Sequence, residues 1–134
     1  MKTMIQFRAA SLAVALATCL LGCESAEDFV CGAAVLRGIE VEVRDADTGT
    51  PAAEDAQGVI TDGLYTESLR LVGWGSGPTP SPLVLGGADE RPGTYTVTIT
   101  KPGYQPWIRT GVQVIEGPCN VQTVRLQAQL ERSQ

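Results

Sequence analysis

Asp45-Ala46-Asp47-Thr48-Gly49 opens like a calcium loop, with carboxylates at its first and third positions. Such loops continue with glycine at the sixth position and a bidentate glutamate at the twelfth. Thr50 and Ala56 stand there instead. A strand-joining turn accounts for the same residues without an ion, because Asp accepts backbone hydrogen bonds and Gly takes positive φ. Two acidic pairs, Glu54-Asp55 and Asp89-Glu90, offer the residue type that glycoside hydrolysis uses in pairs. Both fall in predicted loops beside Gly or Ala, where solvated charge is the ordinary role. Ser68, Ser76 and Ser81 have no base to activate them, since the chain contains no histidine and no lysine in a recognisable pattern. The same absence removes the commonest metal ligand, so no cofactor or metal is expected. Trp74, Tyr104 and Trp107 are the better binding candidates, because exposed aromatics on a sheet can stack on sugar rings. On strand parity Trp107 shares a face with Arg109, opposite Ile108, which places it outside the core. Trp74 and Trp107 are therefore the candidate ligand-stacking residues. The plainer expectation is that Tyr104 packs at a corner and Trp107 covers a sheet edge.

Cysteine supplies the most informative spacing. Leu20-Leu21-Gly22-Cys23 closes an uncharged, mostly apolar run that begins at Ala9, and Lys2 and Arg8 are the only charges before it. The run of 13 residues is too short to span a bilayer, which needs about 20. Glu24, Glu27 and Asp28 follow at once, against a transmembrane helix. The pattern resembles the lipobox of bacterial lipoproteins, where cleavage after a small residue leaves an N-terminal cysteine that receives a diacylglycerol and a further acyl chain. Each buried methylene contributes roughly 0.8 kcal/mol, so two or three such chains anchor stably. Residues 1–22 are then a signal peptide and Cys23 the lipidation site. Glu24 is not the aspartate associated with inner-membrane retention, so in a two-membrane bacterium the resemblance implies the outer membrane.

Of the remaining cysteines, Cys19 leaves with the signal, while Cys31 and Cys119 stay in an oxidising extracytoplasmic compartment. A bond between them would close nearly the whole domain; two free thiols or a metal pair are the alternatives. The chain without its first 22 residues carries eight basic against fifteen acidic residues, a net charge of −7. That balance argues against nucleic acid and against charge-driven binding to anionic headgroups.

The elements that must position these residues are strands. Ile39, Val41 and Val43 alternate with Glu40, Glu42 and Arg44 in the period of a half-buried strand. Tyr95, Val97 and Ile99 alternate with threonines, Val112 and Val114 continue the pattern, and Val124 to Leu130 closes it. Shorter strands are predicted at Gln57 to Thr61 and Leu64 to Val72, with a fragment at Leu83 to Leu85. Asp47 to Pro51, Asp62-Gly63, Arg91 to Gly93, Lys101 to Gly103 and Glu116 to Pro118 punctuate them as turns. Gly73 to Pro82 reads as a long exposed loop around Trp74. No useful helical period occurs. Several short strands in about 100 residues predict an all-β sandwich of two sheets.

Two segments carry a family resemblance: Ile39 to Asp45 with Thr48-Gly49-Thr50-Pro51, and Gly93 to Ile99 with Pro102-Gly103-Tyr104. Together with Val121 to Leu130 they resemble carboxypeptidase regulatory-like domains over roughly residues 35 to 130. The resemblance implies a transthyretin-like (prealbumin-like), immunoglobulin-like Greek-key β-sandwich of about seven strands. It also implies parallel pairing of the first strand with a late one, which would bring Cys31 beside Cys119 as a disulfide. In the peptidases that name the family the module does no chemistry. The expected organisation is thus a signal peptide over 1–22, a lipidated tether over 23–34 and the sandwich over 35–134.

The expected function is non-catalytic: a monomeric structural or interaction module of the cell envelope, on the cell surface or in the periplasm. Its partners would be the membrane, through lipid on Cys23, and an envelope protein or glycan. The competing class is a carbohydrate-binding module that uses Trp74 and Trp107. Because Cys31 follows Cys23 closely, the end carrying Cys31 is expected to face the membrane, and the Asp45 to Pro51 turn to lie at the opposite end.

Overall fold

A computed structural model of the protein describes residues 30–73 and 83–134. Cys23, Trp74, Ser76 and Ser81 lie outside the described residues. Among the described residues, seven strands occur and no helix: β1 (Arg37–Asp45), β2 (Gln57–Asp62), β3 (Tyr65–Gly73), β4 (Leu83–Asp89), β5 (Gly93–Thr100), β6 (Trp107–Val114) and β7 (Val124–Leu130).

The alternating stretches form strands because one face of each can be buried. Ile39, Val41, Val43, Ile60, Tyr95, Val97, Ile99, Ala128 and Leu130 are all withdrawn from solvent into one core. Each such aliphatic side chain contributes roughly 1.5–3 kcal/mol by leaving water. The polar partners in the alternation point outward, so slipping any of these strands by one residue would turn the apolar set to solvent.

The hydrogen-bonded order is β6-β5-β2-β3-β4-β1-β7, and β3 is where the sheet folds over on itself. The first half of β3 pairs with β2, and Arg70 to Gly73 pair with β4. The result is an all-β sandwich that is nearly a barrel. β5 returns beside β2 after the β2-β3-β4 meander, which is the Greek-key arrangement. Every neighbouring pair is antiparallel except β1 and β7, whose register runs in parallel from Ile39↔Val124 to Asp45↔Leu130.

Parallel pairing puts the starts of β1 and β7 at one end, called here the near end, together with the β2–β3 turn and the end of β6. Cys31 and Cys119 meet there in a disulfide with Cα atoms 5.3 Å apart. That replaces the free-thiol and metal-pair alternatives. Cys31 is therefore covalently part of the sandwich, although it falls in the stretch expected to be tether.

The expected fragment at Leu83 to Leu85 is in fact the seven-residue strand β4, buried between β3 and β1. Gly86-Gly87 disguised it, since glycine is depleted from strands. Here its missing side chain is required by close approach: a Cβ on Gly86 would lie 2.7 Å from Cδ of Arg37, and one on Gly87 2.8 Å from Cδ2 of Leu69.

Candidate functional site

At the far end, β1 terminates in Asp45, whose carboxylate is almost wholly covered at 2 % exposure. Oδ1 accepts the backbone N–H groups of Asp47 and Thr48, both at 3.0 Å. Oδ2 accepts the Tyr104 hydroxyl at 2.7 Å and Arg132 Nη2 at 2.7 Å. The residue suspected of opening a calcium loop thus holds its own turn and ties it to the β5–β6 connection and the C-terminal segment. The Tyr104 hydroxyl, followed by the Thr48 amide, keeps the Asp45 carboxyl well below the usual carboxylate range. Among the described residues no group of three or more acidic or cysteine side chains could hold a metal ion. Tyr104 does pack at its corner, as the plainer expectation had it.

The near end is closed by a second polar cluster that sequence reasoning missed. Tyr65 donates to Glu67 Oε2 at 2.6 Å, and the same oxygen accepts the Ala88 amide at 3.1 Å. That bond to Glu67 leads the causes that push the Tyr65 hydroxyl up to about 12. Arg91 lies over the Tyr65 ring at 3.7 Å, pairs with Asp62 at 3.2 Å and reaches the hydroxyl of fully buried Tyr95 at 2.7 Å.

Beside this cluster, Asp89 and Glu90 are exposed as expected, but they are partnered within the protein and Asp89 belongs to a strand. Asp89 ends β4 and forms an ion pair with Arg70. Glu90 takes a φ of 49° and accepts the Leu36 amide at 2.5 Å, Asn120 Nδ2 at 2.7 Å and the Val121 amide at 3.2 Å. The Leu36 amide is the main reason its carboxyl is lowered. Glu90 therefore splices the segments flanking the disulfide onto the sheet. The other pair fits its expectation better: Glu54 and Asp55 are exposed in the connection before β2.

The outer face of β1 and β7 carries a ladder of matched charges. Glu40, 9 % exposed, accepts Nε of both Arg37 and Arg125 at 3.2 Å. One rung along, Glu42 accepts Arg44 Nε at 2.8 Å and Gln127 Nε2 at 3.2 Å. Glu40, Glu42, Arg125 and Gln127, with Val84 and Leu126, line an open cleft of about 160 Å³. Small-molecule sites run to roughly 300–1,000 Å³. The cleft is better suited to a side chain or a single sugar ring.

Strand parity misplaces Trp107. Ile108 is 60 % exposed, and Trp107 is half-buried against the core. The pairing of β5 with β6 skips from Tyr95↔Val112 to Val97↔Arg109, so β6 holds one extra residue there. Gly111 sits in that bulge at φ 68°, a conformation glycine adopts without penalty. The bulge reverses the alternation between Val112 and Trp107 and turns the tryptophan inward. Ser68 is exposed on β3 without a neighbouring base in the sequence pattern.

Comparison with known proteins adds no assignment: no protein-family model and no curated protein sequence matches the chain.

Proposed function

We propose that the protein is a non-catalytic, lipid-anchored module of the bacterial cell envelope, held through acylated Cys23 and presenting its far end to an envelope protein or glycan. The observation that carries this reading is the opposition of the two ends. The segment that leads back to Cys23 is fastened at the near end by the Cys31–Cys119 bond, while the Asp45 to Pro51 turn is held rigid at the other. A loop fixed by four hydrogen bonds to one carboxylate binds a partner without the entropy cost of ordering it first.

Of the two acidic pairs that suggested hydrolysis, Asp89 and Glu90 are engaged in structure while Glu54 and Asp55 stay exposed before β2, and the other well-placed carboxylates are engaged too, which favours recognition over turnover. Asp45 and Glu90 secure loops, and Glu40 and Glu42 belong to the β1–β7 ladder. A photo-crosslinking residue in place of exposed Thr48, introduced into otherwise intact cells, tests the proposal. The expected result is a discrete adduct that disappears in a Cys23→Ser background. Adducts from Gly117 but none from Thr48, or substrate turnover by the purified protein, would overturn it.

A further inference from the structure

Among the described residues, the exposed large apolar side chains are concentrated at one end. Of seven large hydrophobics exposed among the described residues, Val30, Val35, Leu36, Leu64 and Ile115 all belong to the near end. The topology puts them there: residues 30–36 lead into β1, Gly63-Leu64 is the tip of the β2–β3 hairpin, and Ile115 follows the last residue of β6. Leu64 is fully exposed and Val35 is 70 % exposed. Two-residue hairpin tips favour Asn, Asp and Gly, so a leucine at this tip is not explained by the turn. Nor is it explained by the core, which it does not touch.

Charged groups around the patch are largely satisfied within the protein. Asp62 is paired with Arg91, Asp89 with Arg70, and Glu90 accepts three hydrogen bonds. Glu90 and Glu116 are exposed carboxylates of this end without an ion pair among the described residues, and Glu116 lacks Glu90's hydrogen bonds as well. Satisfied groups lose little on approach to a less polar medium, and apolar ones gain.

We infer that the near end is a membrane-contact surface, with Leu64, Val35 and Ile115 entering the boundary between headgroups and acyl chains. This rests on the reading of Cys23 as the lipidated residue. The occupant follows from where the described chain begins: Val30 is itself in the patch and lies seven residues beyond Cys23. An extended stretch of that length reaches at most about 25 Å, so the patch is held next to the bilayer. Contact of this kind scales with buried apolar area. With a chain charge of −7 after the signal, it does not draw on anionic headgroups, and zwitterionic lipid suffices.

The test uses the full chain, recovered from membranes with its disulfide intact, carrying one fluorophore on Leu64→Cys or, for comparison, on Thr48→Cys. Each is reconstituted into phosphatidylcholine vesicles containing brominated phosphatidylcholine, and the acyl chains on Cys23 are weighed by mass spectrometry. The expected result is loss of most emission at position 64 and none at position 48. Acylated protein quenched equally, or not at all, at both positions overturns the contact and leaves the anchor standing. Shielding of position 64 from aqueous iodide without quenching by bromolipid means that a second copy covers the end, which also overturns it. Protein without acyl chains removes the anchor, and the inference with it.

Discussion

Four donors converge on Asp45, and together they favour the ionised carboxylate as acceptor. A carboxyl held below its ordinary value of 3.8 adds stability that is complete above that value and lost as pH falls through the folded one. Glu90 acts in the same direction from its ordinary 4.5. The hydroxyl of Tyr65 has the opposite sign: raised from 10.0 to about 12, it contributes fully below pH 10 and is lost as pH climbs through the higher value. Among the described residues there is no histidine and both cysteines are oxidised, so the side chains that ordinarily change charge near neutrality are missing. Thermal melts should therefore give a plateau from about pH 5 to 9 with an acid limb below it. Asp45→Asn should melt lower on the plateau and lose part of the acid slope; an unchanged slope would remove Asp45 as its source. Glu90→Ala should release the Leu36 and Val121 amides to hydrogen exchange while β5 stays protected. Protection at both amides equal to that of the unaltered protein would contradict the splice.

Strands β1, β5 and β7 were legible because each turns one face to the core, Val124 and Leu126 of β7 only partly buried, and their sequence alternation is that burial written out. β4 was not, because a strand covered on both sides can give up its own side chains where its neighbours' side chains pack onto its backbone, as those of Arg37 and Leu69 do at Gly86 and Gly87. In β6 the residues were read correctly and their direction was not: one inserted residue at Gly111 reverses parity, and no local pattern announces a bulge. Gly111→Ala should cost about 1–2 kcal/mol, the penalty of placing a Cβ at positive φ, since the space around it is open. Trp107→Ala should cost about 2 kcal/mol, less than a fully buried aromatic because the ring is half exposed. Both are read by urea denaturation. A Trp107→Ala protein of unchanged stability would restore the exposed, ligand-stacking role and displace the packing one.

At the scale of the whole molecule, the sites depend on contacts between residues far apart in sequence. Asp45 meets Tyr104 and Arg132, and Glu90 meets Leu36 and Asn120, pairings that only the folded topology supplies. The cysteine bond was the exception, because Cys31 and Cys119 precede the first and last predicted strands and the resemblance implied that those strands pair in parallel. It spans 88 residues. Its loss in Cys119→Ala should lower stability by about 4–5 kcal/mol on the chain-entropy model, with β1 and β7 still paired. A smaller drop together with altered β-sheet content would mean that the bond holds the native pairing itself. What remains central is the anchor, for the display of the far end and the membrane contact of the near end both depend on it. Metabolic labelling with a palmitate analogue, followed by membrane flotation, tests it most directly. The unaltered chain should carry the label and float with membranes, and Cys23→Ser should lose both; a Cys23→Ser protein that keeps the label would contradict the account.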